Sequence, residues 1–115
     1  DDGWETSYSS WLSGSHMGSK DALMVLSVGG GALELNVSMN LIRCIELAKG
    51  LGTLVIGIVG RDGGYAGENA DHCLVIPTVN NAHITAHTES FQAVVWHLLV
   101  SHPLLQSNTP KWESV

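Results

Sequence analysis

Two glycine-rich segments follow apolar runs of the sequence, and each could present backbone amides to an anion. Ser27-Val-Gly-Gly-Gly31 comes after the run 22–26, and Gly60-Arg-Asp-Gly-Gly64 comes after the run 54–59. Amides freed by consecutive glycines can converge on a phosphate group beside a helix N-terminus. Neither segment matches GxxxxGK[ST] or GxGxxG, so an ordinary turn is the alternative for each. In the second segment, Asp62 would fix such a turn by accepting from the nearby backbone.

Serine, asparagine and histidine side chains near these segments add groups that could bind a ligand or move a proton. Ser38 stands where a helix is expected to begin, with Asn36 and Asn40 beside it, so these side chains either cap the helix or bind a ligand. His97 carries an imidazole, which suits acid–base catalysis at neutral pH, although an exposed or interface histidine is commoner. Glu89 lies eight residues earlier, which corresponds to a helix rise of about 12 Å and a rotation of roughly 80°. The two side chains could therefore flank one ligand without contacting each other.

His83 and His87, which are four residues apart, are candidate metal ligands. Such a pair could bind a metal ion together with His72 or Cys73, but no third ligand has a defined spacing. A structural role for these histidines is therefore the alternative. Cys44 and Cys73 do not form a CxxC motif, and they are predicted to be free, buried thiols.

The elements that would position these groups alternate as in a parallel α/β sheet. Strands are predicted over residues 21–28, 53–59 and 73–76, and helices over residues 5–12, 38–50 and 88–101. The last helix is predicted to face the core with a stripe that excludes His97 and consists of Phe91, Val94, Val95, Leu98 and Leu99. Because crossovers between parallel strands are right-handed, the carboxyl ends of the strands share one edge, where ligands bind. Both glycine segments are expected at that edge.

Composition excludes several kinds of partner. The 115 residues are 44% apolar and 14% charged, which is typical of one globular domain. The net charge of −6 leaves no basic patch for nucleic acid or an anionic membrane. The apolar runs are far shorter than the roughly 20 residues that span a bilayer. We therefore expect a soluble, cytoplasmic protein that binds neither nucleic acid nor membrane.

Five segments read together resemble the sugar isomerase (SIS) domain, and within it the phosphoheptose isomerases. They are Asp21–Ser27, Asn40–Ala48, Val55–Gly64, Ala70–Pro77 and Phe91–Val100. The most specific match is Gly57 to Gly64, which carries the pattern G-[IL]-x-G-[KR]-D-G-G. The resemblance covers residues 1–102, followed by a polar tail at 103–115, and corresponds to roughly the C-terminal 60% of a full-length member. We therefore expect the SIS-type fold, a flavodoxin-like three-layer sandwich with a five-stranded parallel sheet in full members, here incomplete at the N-terminus.

The resemblance implies an activity and a set of site residues. Family members convert sedoheptulose 7-phosphate to a heptose 7-phosphate by an enediol-type proton transfer, as tetramers with sites between subunits. The resemblance places the phosphate near Ser27, Gly29, Gly30 and Ser38. It also implies that Asp62 supports the loop and that Asp1 lies in a substrate-binding segment. Val28 and Gly29 replace two family hydroxyls, and residues 31–36 resemble an insertion. His97 stands in the position of the histidine, and Glu89 replaces the glutamine, of a family pair that serves catalysis or, in some members, binds zinc.

Two other functions compete with the isomerase. A non-catalytic SIS module that binds or senses a phosphorylated sugar is favoured by the altered serine loop and by the family's catalytic glutamate lying upstream of the matched region. A dinucleotide-binding enzyme is disfavoured, because the second strand ends in an Arg-Asp turn and not in a ribose-binding acid. The one cofactor that the resemblance indicates is zinc, which some family members bind.

Overall fold

A computed structural model describes residues 3–108 and Lys111. The strands of the described part are β1 (Ala22–Ser27), β2 (Leu54–Val59) and β3 (His72–Val75). The helices there are α1 (Ser7–Gly14), α2 (Met39–Leu51), α3 (Gly64–Asn69) and α4 (Ile84–Ser101), with short 3-10 turns at Trp4–Thr6 and Asn81–His83. The predicted strands and helices are all present, with ends shifted by at most four residues. The helix α3 was not predicted.

The three strands form one parallel sheet in the order β1-β2-β3. Ser27 pairs with Val59, which in turn pairs with Val75. The last residues of all three strands therefore lie at one edge, which confirms the predicted parallel arrangement. Both glycine segments leave the sheet at this carboxyl edge.

The best-buried core lies on one face of the sheet. Val25, Val55 and Val59 point from the strands toward Ile45 of α2 and Ala66 of α3, and all five are buried. On the other face, Val95 and Leu99 of α4 lie against β2 and β3. Helices thus cover both faces, as expected for a three-layer α/β sandwich.

The predicted core-facing stripe of α4 is wrong for three of its five residues. Phe91, Val94 and Leu98 are exposed, whereas Val95 and Leu99 are half-buried against the sheet. Thr88 and Gln92 are the buried residues of this helix. The helix has apolar residues on most of its circumference, so periodicity alone does not decide which side meets the sheet.

Both cysteines are free thiols, as predicted. Cys44 is buried and Cys73 is half-buried, and this burial raises the pKa of each thiol above its ordinary value. Such thiols are poor nucleophiles. In the part of the chain that the structure describes, no helix is both long and apolar enough to cross a membrane.

Candidate functional site

The first loop, residues 27–31, folds back on the end of β1. The Ser27 hydroxyl accepts a hydrogen bond from the Gly30 amide at 3.0 Å, so its own proton remains free to be donated to a ligand. Gly30 and Gly31 adopt left-handed conformations, with φ of 72° and 86°. Within the described residues, the amides of Gly29 and Gly31 donate to no acceptor. The loop therefore offers one hydroxyl and two amide donors at the carboxyl edge of the sheet.

The second loop, residues 60–64, supports the first one. The amides that open α3 donate to carbonyls of the first loop, Tyr65 to Gly31 at 2.8 Å and Ala66 to Gly30 at 2.9 Å. A Cβ on Gly30 would lie 1.8 Å from the Gly63 carbonyl oxygen, so the backbones meet where no side chain fits. The two glycine segments are one interlocked unit, and the first amides of α3 are already used within the protein.

Asp62 holds the turn of the second loop. One carboxylate oxygen accepts from the Gly64 amide at 3.2 Å, which is the hydrogen bond that the sequence predicts for this turn. The side chain is exposed. Its contact with substrate stays a prediction.

Ser38 does not cap α2 with its side chain, in contrast to the expected capping role. It adopts a left-handed conformation with φ of 54°, and its carbonyl, not its hydroxyl, bonds the helix amides. Ser38 lines a cavity of about 410 Å³ that is also bordered by Trp4, Glu5, Asn36 and Asn40. The Asn40 side chain accepts from the next amide of the helix, that of Leu41. Ser38 is thus available to a ligand in this cavity.

Residues 32–37, between the two serines, form a small hairpin; that residues 31–36 are an insertion stays a prediction. Ala32 and Val37 pair in antiparallel fashion, with amide–carbonyl distances of 3.0 and 3.1 Å. Leu33 and Leu35 at its tip are exposed. The hairpin lets Ser27 and Ser38 belong to one continuous loop between β1 and α2.

Gln92 is the α4 residue that contacts the end of β1, and the sequence analysis did not select it. Its side-chain amide donates to the carbonyls of Ser27 and Ile58 at 3.1 and 2.7 Å, and the residue is only 6% exposed. Thr88, one turn earlier and 2% exposed, packs against Gly60 so closely that a Cβ there would collide with its hydroxyl. Two polar residues four apart in an apolar helix were the available signal.

His97 and Glu89 are both exposed on α4. His97 follows Gln92 by five residues, a rotation of about 140° away from the side that meets the sheet. The structure therefore does not bring His97 to the first loop. The predicted catalytic roles of both residues stay predictions, and Asp1 lies outside the described residues.

The described residues do not form a zinc site by themselves. Among them, no group of three or more His, Cys, Asp or Glu side chains is placed to hold a metal ion. His83 and His87 bring their rings to within 5.7 Å of each other, and His72 and Cys73 lie on β3. Zinc normally takes at least three protein ligands. Glu89 and His97 would thus need ligands from outside this set.

Comparison with known proteins gives a lincomycin biosynthesis protein and several phosphoheptose isomerases as relatives. No family model matches the chain. The lincomycin biosynthesis protein LmbN of Streptomyces lincolnensis is 36% identical over 88 residues, which cover 76% of this chain and 30% of that protein. Phosphoheptose isomerase 1 of Campylobacter jejuni is 31% identical over 76% of this chain and 39% of its own length. The phosphoheptose isomerase of Rhodospirillum rubrum is 33% identical over 69% of this chain and 37% of its own.

Solved structures share the fold. The phosphoheptose isomerase of Neisseria gonorrhoeae superposes with a TM-score of 0.66 at 24% identity, covering 85% of this chain and 50% of that one. A phosphoheptose isomerase from Francisella tularensis superposes with a TM-score of 0.64 at 22% identity, covering 84% of this chain and 48% of that one. This chain therefore spans about half of the solved structures, and less of the curated relatives.

Fold and site together define an α/β domain whose glycine loops interlock at the carboxyl edge of a parallel sheet. With the relatives at hand, the class becomes specific: the chain is a homologue of the phosphoheptose isomerases of the SIS family and carries part of a SIS domain. This confirms the resemblance found in the sequence.

Proposed function

We propose that this chain binds the phosphate group of a phosphorylated sugar in the loop from Ser27 to Ser38 and belongs to a sugar-phosphate isomerase. The observation that carries the proposal is the first loop, where the Ser27 hydroxyl and the amides of Gly29 and Gly31 are free donors. Anions bind where such donors converge at the carboxyl edge of a parallel sheet. The reaction we propose is that of the named relatives, from sedoheptulose 7-phosphate to a heptose 7-phosphate.

The reaction moves a proton between two adjacent carbons of the sugar. A base removes the proton from the carbon beside the carbonyl, the enediol forms, and an acid returns a proton to the other carbon. His97 and Glu89 are our candidates for these roles. Since both are exposed and turned away from the first loop, they would serve a substrate held by a second copy of the chain. A cytoplasmic homo-oligomer, a tetramer in the family's manner, is part of this proposal.

The phosphate contact can be tested with Ser38→Ala. Removing a hydrogen bond to a charged group should weaken sugar-phosphate binding by about 1.5–3 kcal/mol, as measured by calorimetry. Stability should not change, because the hydroxyl makes no capping bond. The matched control is Ser10→Ala at an exposed position of α1. Equal affinities in all three proteins would remove Ser38 from the site.

Proton transfer can be tested with His97→Gln, in protein that turns over sedoheptulose 7-phosphate. We expect turnover to fall by about 10²-fold or more, while the affinity for the phosphate stays the same. His102→Gln, just beyond α4, is the control. Unchanged turnover would reduce His97 to a surface residue.

A non-catalytic module that binds phosphorylated sugars is the second candidate. It is favoured by the position of His97 and Glu89, which lie away from the loop that would hold the phosphate. Phosphate binding without turnover in the oligomeric protein would select this alternative.

A further inference from the structure

Arg61 lies in the second glycine loop, and its side chain runs across Gly29 of the first. Its Cδ and Nε atoms are 3.6 and 3.8 Å from the position that a Cβ on Gly29 would take. These are ordinary contact distances, so the arginine stem lies next to Gly29 and a side chain there would touch it. The start of the guanidinium group is therefore held beside the loop that offers free amide donors.

The other arginine of the chain is neutralised by a carboxylate, but Arg61 is not. Arg43 pairs with Glu46 at 2.8 Å, and Lys49 pairs with Asp71 at 3.2 Å. Within the described residues, Arg61 makes no ion pair, even though its neighbour Asp62 is acidic. In a protein with a net charge of −6, an unpaired guanidinium at the carboxyl edge of the sheet is a local exception. It is free to attract an anion.

The backbone at Arg61 has a conformation that favours glycine, although the residue is arginine. Its φ of 51° lies in the left-handed region, where residues with a Cβ are strained. Glycine follows at the next positive-φ position of this loop, Gly63. Arginine at this position thus carries a backbone cost that glycine would avoid.

We infer that Arg61 contacts the phosphate bound by the first loop and sets the preference for a phosphate monoester over an uncharged sugar. This inference rests on the proposed phosphate site. A guanidinium group can donate two parallel hydrogen bonds to two phosphate oxygens. The Ser27 hydroxyl and the Gly29 and Gly31 amides would bind the remaining phosphate oxygen atoms. Arg61 would thus supply the positive charge opposite the phosphate, and the loop would fix its orientation.

The test compares two variants that remove the same charge. Inorganic phosphate is titrated by calorimetry into the wild-type chain, Arg61→Gln and Arg43→Gln. We expect the Kd for phosphate to rise about tenfold or more in Arg61→Gln and to stay within about twofold in Arg43→Gln. Arg61→Lys should recover part of the affinity, since it keeps the charge but loses the fork. The dependence of the Kd on salt should also weaken in Arg61→Gln alone.

Arg61→Gly separates binding from folding. Because glycine relieves the left-handed strain, this variant should unfold at the same or a higher temperature than the wild type, and yet lose phosphate affinity. Equal phosphate affinity in Arg61→Gln and Arg43→Gln, with a clear loss in Ser27→Ala, would overturn the role of Arg61 and leave the phosphate site standing. No phosphate binding by the wild-type protein would refute both.

Discussion

Gly30→Ala is the substitution that should damage the interlocked loops most directly. The new methyl group would lie 1.8 Å from the Gly63 carbonyl oxygen and 2.7 Å from its carbon. Both atoms belong to the backbone, so no side-chain rotation can relieve the overlap. The two loops would have to move apart, and the amides of Tyr65 and Ala66 would lose their acceptors.

The cost has two parts that can be worked from the structure. Alanine at φ of 72° costs about 1–2 kcal/mol relative to glycine. Each of the two lost hydrogen bonds costs about 1 kcal/mol more. We therefore expect the free energy of unfolding to fall by about 3–4 kcal/mol, a large share of the roughly 5–15 kcal/mol of a typical domain.

Gly29→Ala in the same loop is the matched control. Its Cβ would meet only the Arg61 side chain, at 3.6 Å, and its φ is outside the left-handed region. Its stability should stay within about 1 kcal/mol of the wild type. Urea denaturation followed by circular dichroism measures both variants, with the slope m as a check on two-state behaviour. A Gly30→Ala midpoint equal to that of Gly29→Ala would refute the close approach of the loops.

Two further predictions concern polar groups that tie elements together. Gln92→Leu removes two hydrogen bonds from α4 to strand carbonyls; we expect a loss of about 2 kcal/mol in urea denaturation, and a wild-type midpoint would contradict it. The Asp71 carboxylate accepts from the Val55 amide at 2.8 Å and pairs with Lys49, and these contacts lower the pKa of Asp71 below its ordinary value. A lowered pKa stabilises the fold above about pH 4, and this contribution disappears as the pH falls through the folded-state pKa. The melting temperatures of the wild type and Asp71→Asn should therefore differ at neutral pH and converge in acid; a constant gap would count against this assignment.

The strands could be predicted because their signals are local. β1 and β2 are short apolar runs that end in glycine, and both are found within one residue of the predicted bounds. The helix α3 could not be predicted in the same way. Residues 64–69 have no apolar periodicity, and the helix is stabilised by carbonyls of the first loop, which are distant in sequence.

The position of the two glycine loops was predicted, but the way they pack together was not. Glycines in both loops indicated the carboxyl edge, yet only the structure shows that the second loop supports the first. Gln92, which bonds two strand carbonyls, lies on the side of α4 that meets the sheet, whereas Phe91, Val94 and Leu98 are exposed. Thr88 and Gln92, four residues apart in an apolar helix, were the signal for this side, but a single sequence does not show which carbonyls a buried amide bonds.

The interlocked loops also have a consequence for hydrogen exchange. The amides of Tyr65 and Ala66 can exchange with solvent only when the carbonyls of Gly31 and Gly30 move away from them. An anion that holds the first loop closed would therefore slow deuterium uptake at the start of α3, a helix that does not itself donate to the anion. Occupancy of the phosphate loop is thus readable, by mass spectrometry, from a neighbouring segment of the chain.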